Sequence, residues 1–202
     1  MENIKNVTSN HHSTESLKTM ALTGMLVAIT LVMINTPLGR ITLPIVSVTI
    51  AHIPILIATL CLGLGSGLIV ALVFGMASLF IALTSPASIL DPFFVNPLVS
   101  ILPRLLIPVT TYGVIKLCQL IGKKKRATIY NILAIIVGNL TNTFGVYLML
   151  YLIYAKAILE KSGTPAITLI ITAISTSTLF KCIIVVLITT PIVAIISKQI
   201  KK

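Results

Sequence analysis

Asn96, Ser100 and Arg104 recur every fourth residue, and on a helix of 3.6 residues per turn that spacing puts all three on one face. The run around them is apolar from Leu98 to Ile121. In lipid, an arginine about two turns inside such a run costs at least a few kcal/mol unless it faces a polar cavity or a partner. That face can hold a polar ligand. Asn139, Asn142 and Thr143 make a second polar face, at i, i+3 and i+4 in another apolar run. Their amides either meet a ligand or hold helices together, the latter worth about 1 kcal/mol in lipid.

Three further groups fit the same chemistry. Thr49 and His52 share a face three residues apart, and His52 is either a ligand contact or a histidine satisfied by a nearby carbonyl. The run Ser175-Thr176-Ser177-Thr178 carries hydroxyls that often bond back to their own helix. Lys181, three residues beyond Thr178, either floors a cavity or snorkels to the nearer surface. Asp91 is the only acid between Glu15 and Glu160. It is expected to cap a helix, or else to pair with Arg104 or a ligand.

The elements that position these residues follow from composition. The chain has 202 residues, 56% hydrophobic and 9% charged, far too little charge for a soluble domain. Apolar runs of about 18 residues recur, without the period-two alternation of an outer-membrane barrel. The expected fold is therefore all-α: an integral membrane protein of six transmembrane helices. The spans are Leu17–Ile34, Val46–Leu64, Leu68–Leu83, Leu98–Ile121, Ala127–Tyr154 and Ala166–Ile196. Residues 1–16 form a polar N-terminal tail, 17–197 the membrane domain and 198–202 a basic tail.

The connections carry their own signals. Residues 35–45, with Pro37 and Pro44, are expected to form a loop near the membrane surface, and Gly63, Gly65 and Gly67 a very short turn. Pro103 and Pro108 favour kinks in the fourth span. Lys156, Glu160, Lys161 and Pro165 place the last loop at 155–165. Cys61, Cys118 and Cys182 share no CxxC spacing and read as small buried hydrophobes.

A formal net charge of +11 is compatible with nucleic acid, but most of the cations flank apolar runs and read better as orientation signals. With six spans, both termini, the glycine turn and Lys123-Lys124-Lys125-Arg126 share one side, which the positive-inside rule makes cytoplasmic. Arg104, Asn142 and Thr178 then face one outward-opening pocket among helices four, five and six.

Chemistry inside the membrane would need a nucleophile with its base, a carboxylate pair or a metal cluster, and the spans hold no Asp or Glu and one histidine. Neither enzyme activity nor a metal or other cofactor is expected. Ion-coupled transport usually relies on an intramembrane carboxylate, and no GxxxxGK[ST] nucleotide motif occurs. A binding subunit that lends its pocket to a powered partner fits these absences.

Four stretches, in this order and spacing, resemble the substrate-binding S components of energy-coupling factor (ECF) transporters, specifically the pantothenate-transporter-like branch. They are Gly24-Met25-Leu26-Val27-Ala28, Val48-Thr49-Ile50-Ala51-His52-Ile53-Pro54, Asn96 to Arg104, and Gly138-Asn139-Leu140-Thr141-Asn142-Thr143. The resemblance implies a six-helix protein of a plasma membrane, bacterial in origin, that captures a water-soluble vitamin at its outer face. Residues 35–45 would close over the site. It also implies docking through Ala21, Gly24 and Ala28 onto a transmembrane scaffold, the T component, driven by two ABC-type ATPases. Arg104 would meet a carboxylate, and Asn96, Asn139 and Asn142 would bond hydroxyl or amide groups. Pantothenate is the first candidate, with riboflavin, folate or another small anion as alternatives. Gly24 stands where alanine is usual, and Lys181 stands near a point where relatives often carry an acid. The rival from another class is a membrane structural or assembly protein whose Asn and Arg side chains only fix helix packing.

Overall fold

Twelve residues after the end of the first helix at Ile34, the chain reads Val46-Ser47-Val48-Thr49, a stretch rich in β-branched residues and preceded by Pro44. Such residues favour extended backbone and disfavour a helix start. The computed structural model describes residues 2–37, 39–42, 47–88, 90–121 and 127–200. In it, β1 (Arg40–Thr42) pairs antiparallel with β2 (Ser47–Thr49), Arg40 opposite Thr49. The Ile50 amide closes the ribbon on the Gly39 carbonyl at 2.9 Å. Only then does α2 (Ile53–Leu62) begin, with Pro54 in its first turn. This corrects the expected second span: its residues 47–52 are not helix. The ten that are make a rod of about 15 Å, half of what a bilayer core requires.

Long helices make up the rest. They are α1 (Glu2–Ile34), α3 (Leu64–Thr84), α5 (Leu102–Ile121), α6 (Ala127–Ser162) and α7 (Ala166–Ile200), with a 3-10 turn at Asp91–Val95 and the four-residue α4 (Pro97–Ser100) before α5. Helix α1 starts at Glu2, inside the stretch expected as tail. Gly63 alone makes the α2–α3 turn, at φ 99°, where a side chain would be strained; Gly65 and Gly67 are already helical. Helix α6 runs on to Ser162, through most of the expected 155–165 loop. The basic cluster 123–126, Lys201, Lys202 and residues 38 and 43–46 of the expected cap lie outside the described residues.

Among the described residues, five helical segments are long and apolar enough to cross a membrane: Ser16–Ile34, Leu64–Thr84, Pro97–Ile121, Ala127–Glu160 and Thr178–Gln199. Their outer faces carry exposed Leu, Ile, Phe and Met, for example Met25, Phe80, Leu120 and Phe180, the surface that lipid covers. Helix α2 touches all five long helices, and Ile53 to Thr59 are buried without exception. It is the central post of the bundle. In lipid, close packing and polar contacts between helices hold such a bundle together, and here Thr23 donates to Ser66 at 2.9 Å between α1 and α3, and Thr141 to Thr110 at 3.0 Å between α6 and α5.

Two apolar clusters result. One surrounds α2 with Leu26, Val70, Phe74, Ile107, Ile135 and Val185. The other, toward the α3–α5 connection, gathers Leu90, Phe94, Val99, Tyr147, Leu150 and Ile170. The three cysteines are half-buried and unpaired, more exposed than expected.

Candidate functional site

The ribbon, α3, α5, α6 and α7 converge around a space to whose lining α2 adds no residue. A cavity of about 80 Å³ sits there, at the seam of the two clusters. Ile34 and Phe74 from the first cluster and Phe94, Val146 and Tyr147 from the second supply its apolar walls. Its polar lining is Arg40, Thr49, Ser78, Asp91, Arg104, Asn142, Thr143 and Lys181. At about 10–15 Å³ per water, the space accommodates a handful of waters; a vitamin-sized guest requires the roof to shift.

Arg104 is 3% exposed. Pro103, four residues after Val99, has no N–H to donate, which frees the Val99 carbonyl to accept from Nη1 at 2.7 Å; Nη2 donates to Ser78 Oγ at 3.2 Å. The guanidinium lies over Phe74 and Phe94, 5.5 and 5.2 Å from their ring centres, a cation–π setting that partly replaces lost hydration. Nε has no partner among the described residues. Across the cavity, Lys181 is 6% exposed and donates to Thr143 Oγ1 at 3.0 Å. Of the two sequence readings of Lys181, cavity lining is the one the structure adopts. Its aliphatic stem does not carry the charge to a surface.

The roof is the ribbon. Arg40 Nη2 meets Asp91 Oδ2 at 2.5 Å, and the same carboxylate oxygen accepts from the Ala87 and Ser88 amides at 2.9 Å each. Asp91 therefore caps its own loop and pairs with Arg40, and not with Arg104 as one reading allowed. The ion pair ties the ribbon to the α3–α5 connection.

Several expected site residues lie elsewhere. Asn96 is the N-cap of α4: its Oδ1 accepts from the Leu98 amide at 3.0 Å and its Nδ2 donates to Tyr154 Oη at 3.3 Å. Ser100 is buried and donates to the Phe94 carbonyl. Neither lines the cavity: Asn96 stands outside the helix, in extended backbone as its cap, and the Ser100 hydroxyl is taken by the Phe94 carbonyl. His52 and Asn139 are buried electrostatic neighbours below the cavity. Neither ring nitrogen and neither amide atom has a hydrogen-bond partner among the described residues. Thr178 is buried, its hydroxyl likewise unpartnered, and the side chains of Thr176 and Ser177 are outside those described.

Phe74, Ser78 and Tyr147 belong to the lining but carried no signal as an ionisable or amide group. Phe74–Ser78 and Thr143–Tyr147 are nevertheless i, i+4 pairs, and that spacing places each pair on one helix face. Ala21, Gly24 and Ala28 are all exposed on α1. A shallow groove between α1 and α3, lined by Thr19, Met20, Thr23, Gly24, Val27, Ser66 and Ile69, lies on this side. The small residues are not spent on packing within the chain.

Long apolar helices around a short buried one, with cations converging on a capped cavity, define a multi-pass membrane protein built to bind. The family model described as ECF transporter, substrate-specific component, matches residues 18–193, and the chain belongs to that family. It is a family of transporter subunits, not of enzymes, whose members work with the T component and ATPases of the ECF module. Among curated proteins, no significant match was found.

Proposed function

We propose that this S component captures a small carboxylated vitamin in the cavity under the ribbon, and that pantothenate is the first compound to test. The observation that carries this is the pairing of two buried cations, Arg104 and Lys181, with a lining whose one acid, Asp91, is engaged by Arg40. A carboxylate on the Arg104 fork would satisfy Nε and offset the charge. Asn142, whose Oδ1 has no partner among the described residues, is placed for a hydroxyl or amide of the ligand. His52, Asn139 and Thr178 then form a polar floor beneath the ligand, while Asn96 and Ser100 hold the backbone turn that presents Arg104.

Six membrane-crossing segments, with α2 and the ribbon together as the second, would put both termini and the 123–126 cluster in the cytoplasm of a bacterial cell. The ribbon and the cavity mouth would face outward in the plasma membrane. Ala21, Gly24 and Ala28 would meet the T component, with two ABC-type ATPases driving release. The test is mass spectrometry of small molecules released from the purified protein, followed by calorimetry with pantothenate. Binding that is lost in Arg104→Ala supports the assignment; unchanged affinity in that variant refutes the site.

A further inference from the structure

Arg104 and Lys181 line one cavity but stand in different parts of its wall. The Arg104 guanidinium is held from α3 and the α3–α5 connection, by Ser78, Phe74 and Phe94. The Lys181 ammonium is held from α6, by Thr143. They share no contact residue among these, and helix α6 contributes Asn142, Val146 and Tyr147 to the same wall. The two charges lie within electrostatic reach of each other, on α7 and α5, without competing for a neighbour. Each has its own bonding partner and its own unused donors: Nε of Arg104, and two of the three ammonium protons of Lys181 beyond its bond to Thr143.

The charge balance points the same way. Arg40, Arg104 and Lys181 face the cavity against Asp91 alone, and the Arg40–Asp91 pair cancels one of each. Two buried positive charges remain. A buried ammonium with a single neutral hydrogen-bond partner is expensive unless a counter-charge arrives.

We propose that Lys181 is a second anion anchor, so that the site prefers a ligand bearing two separate anionic groups over one with a single carboxylate. This rests on the reading of the cavity as the capture site. Arg104 takes a carboxylate, and Lys181 takes a second carboxylate or a phosphate at the other end of the molecule. Pantothenate meets only the first, and its polar chain lies against Asn142.

The test uses the purified full-length chain, with pantothenate as monoanion and its 4′-phosphate as matched dianion, both titrated by calorimetry. The expected result is about tenfold tighter binding of the dianion, in line with one additional charged hydrogen bond. Lys181→Gln should remove that preference, bringing the two affinities to within about twofold of each other, while Lys181→Arg retains the preference; a charge-assisted contact differs from packing in this way. Equal affinities for the two probes, or a preference that survives Lys181→Gln, would overturn the proposal while leaving vitamin capture intact. If the 4′-phosphate binds and pantothenate does not, pantothenate is the wrong vitamin and the dianion proposal stands. Mass spectrometry of ligand released from the untreated protein gives an independent readout that needs no variant to fold. Two acidic groups on that molecule support the proposal, and one overturns it.

Discussion

The cavity under the ribbon and the groove between α1 and α3 are opposite solutions to recognition in one membrane protein. In the cavity, charges are buried: Arg104 and Lys181 are 3% and 6% exposed, and each is held by a few neutral neighbours. In the groove nothing is charged, and Gly24 stands so open that a Cβ placed there has no neighbour within 4 Å. The first can discriminate, because a buried donor left unpaired is costly. The second offers closeness, because small residues let another helix backbone approach. A subunit that both selects a solute and docks on a scaffold needs each kind of surface, and here both draw on α1 and α3 but on different stretches of them, Ile34 and Phe74 to Ala82 for the cavity, Thr19 to Val27 and Ser66 to Ile69 for the groove.

The comparison can be broken by substitutions that touch one region only. The largest effect is expected for Arg104→Ala, which should weaken binding of an anionic vitamin by about 10- to 150-fold, the value of charged hydrogen bonds. Assembly with the T component, followed by co-purification, should be preserved. Loss of both would join the two regions into one and end the distinction. Next comes Gly24→Leu. With open space around it, the isolated chain should fold and bind as before, while co-purification with the scaffold falls by about tenfold, the scale of overpacking at a close contact. Gly75 gives the internal contrast, since a Cβ there would stand 3.0 Å from Ile101 Cα. Gly75→Val should destabilise the chain itself by about 1–3 kcal/mol, read as a lower midpoint of thermal unfolding.

Smaller effects sharpen the cavity's own boundary. Arg40→Ala removes the ion pair that ties the ribbon down, and ligand release measured by stopped flow should quicken by roughly two- to fivefold, since a part-exposed pair contributes modestly. An unchanged rate would mean that the ribbon is held by β-pairing alone. Asn96→Ala is expected to leave affinity within about twofold and to cost about 1 kcal/mol of stability through loss of the α4 cap. A large affinity loss in that variant would return Asn96 to the ligand.

Much of the bundle was legible from local pattern. Long apolar runs can only be helices in lipid, because every backbone group must be satisfied within the segment, and so α1, α3, α5, α6 and α7 follow from composition. Arg104 and Lys181 stood out for the cost of a charge at that depth, and the polar faces at Asn142 and Thr143 came from spacing alone. The α2 boundary was misjudged because Val46, Val48, Ile50 and Ala51 extend the apolar run that precedes the helix, and hydropathy does not distinguish an extended stretch from a helix.

The sequence by itself determined that this chain lives in a membrane, that it carries costly cations without the acids of catalysis or ion coupling, and to which family it is similar. Which polar residues meet in one space was a decision of tertiary structure. Asn96 caps α4 and bonds Tyr154, and Ser100 bonds the Phe94 carbonyl, contacts that four-residue spacing does not encode. Asp91 found Arg40 across 51 residues of chain, a pairing that no local spacing encodes. Above all, the space that Arg104 and Lys181 face is lined from α1, α3, α5, α6, α7 and the ribbon together, and a cavity is a property of how separate elements pack against one another.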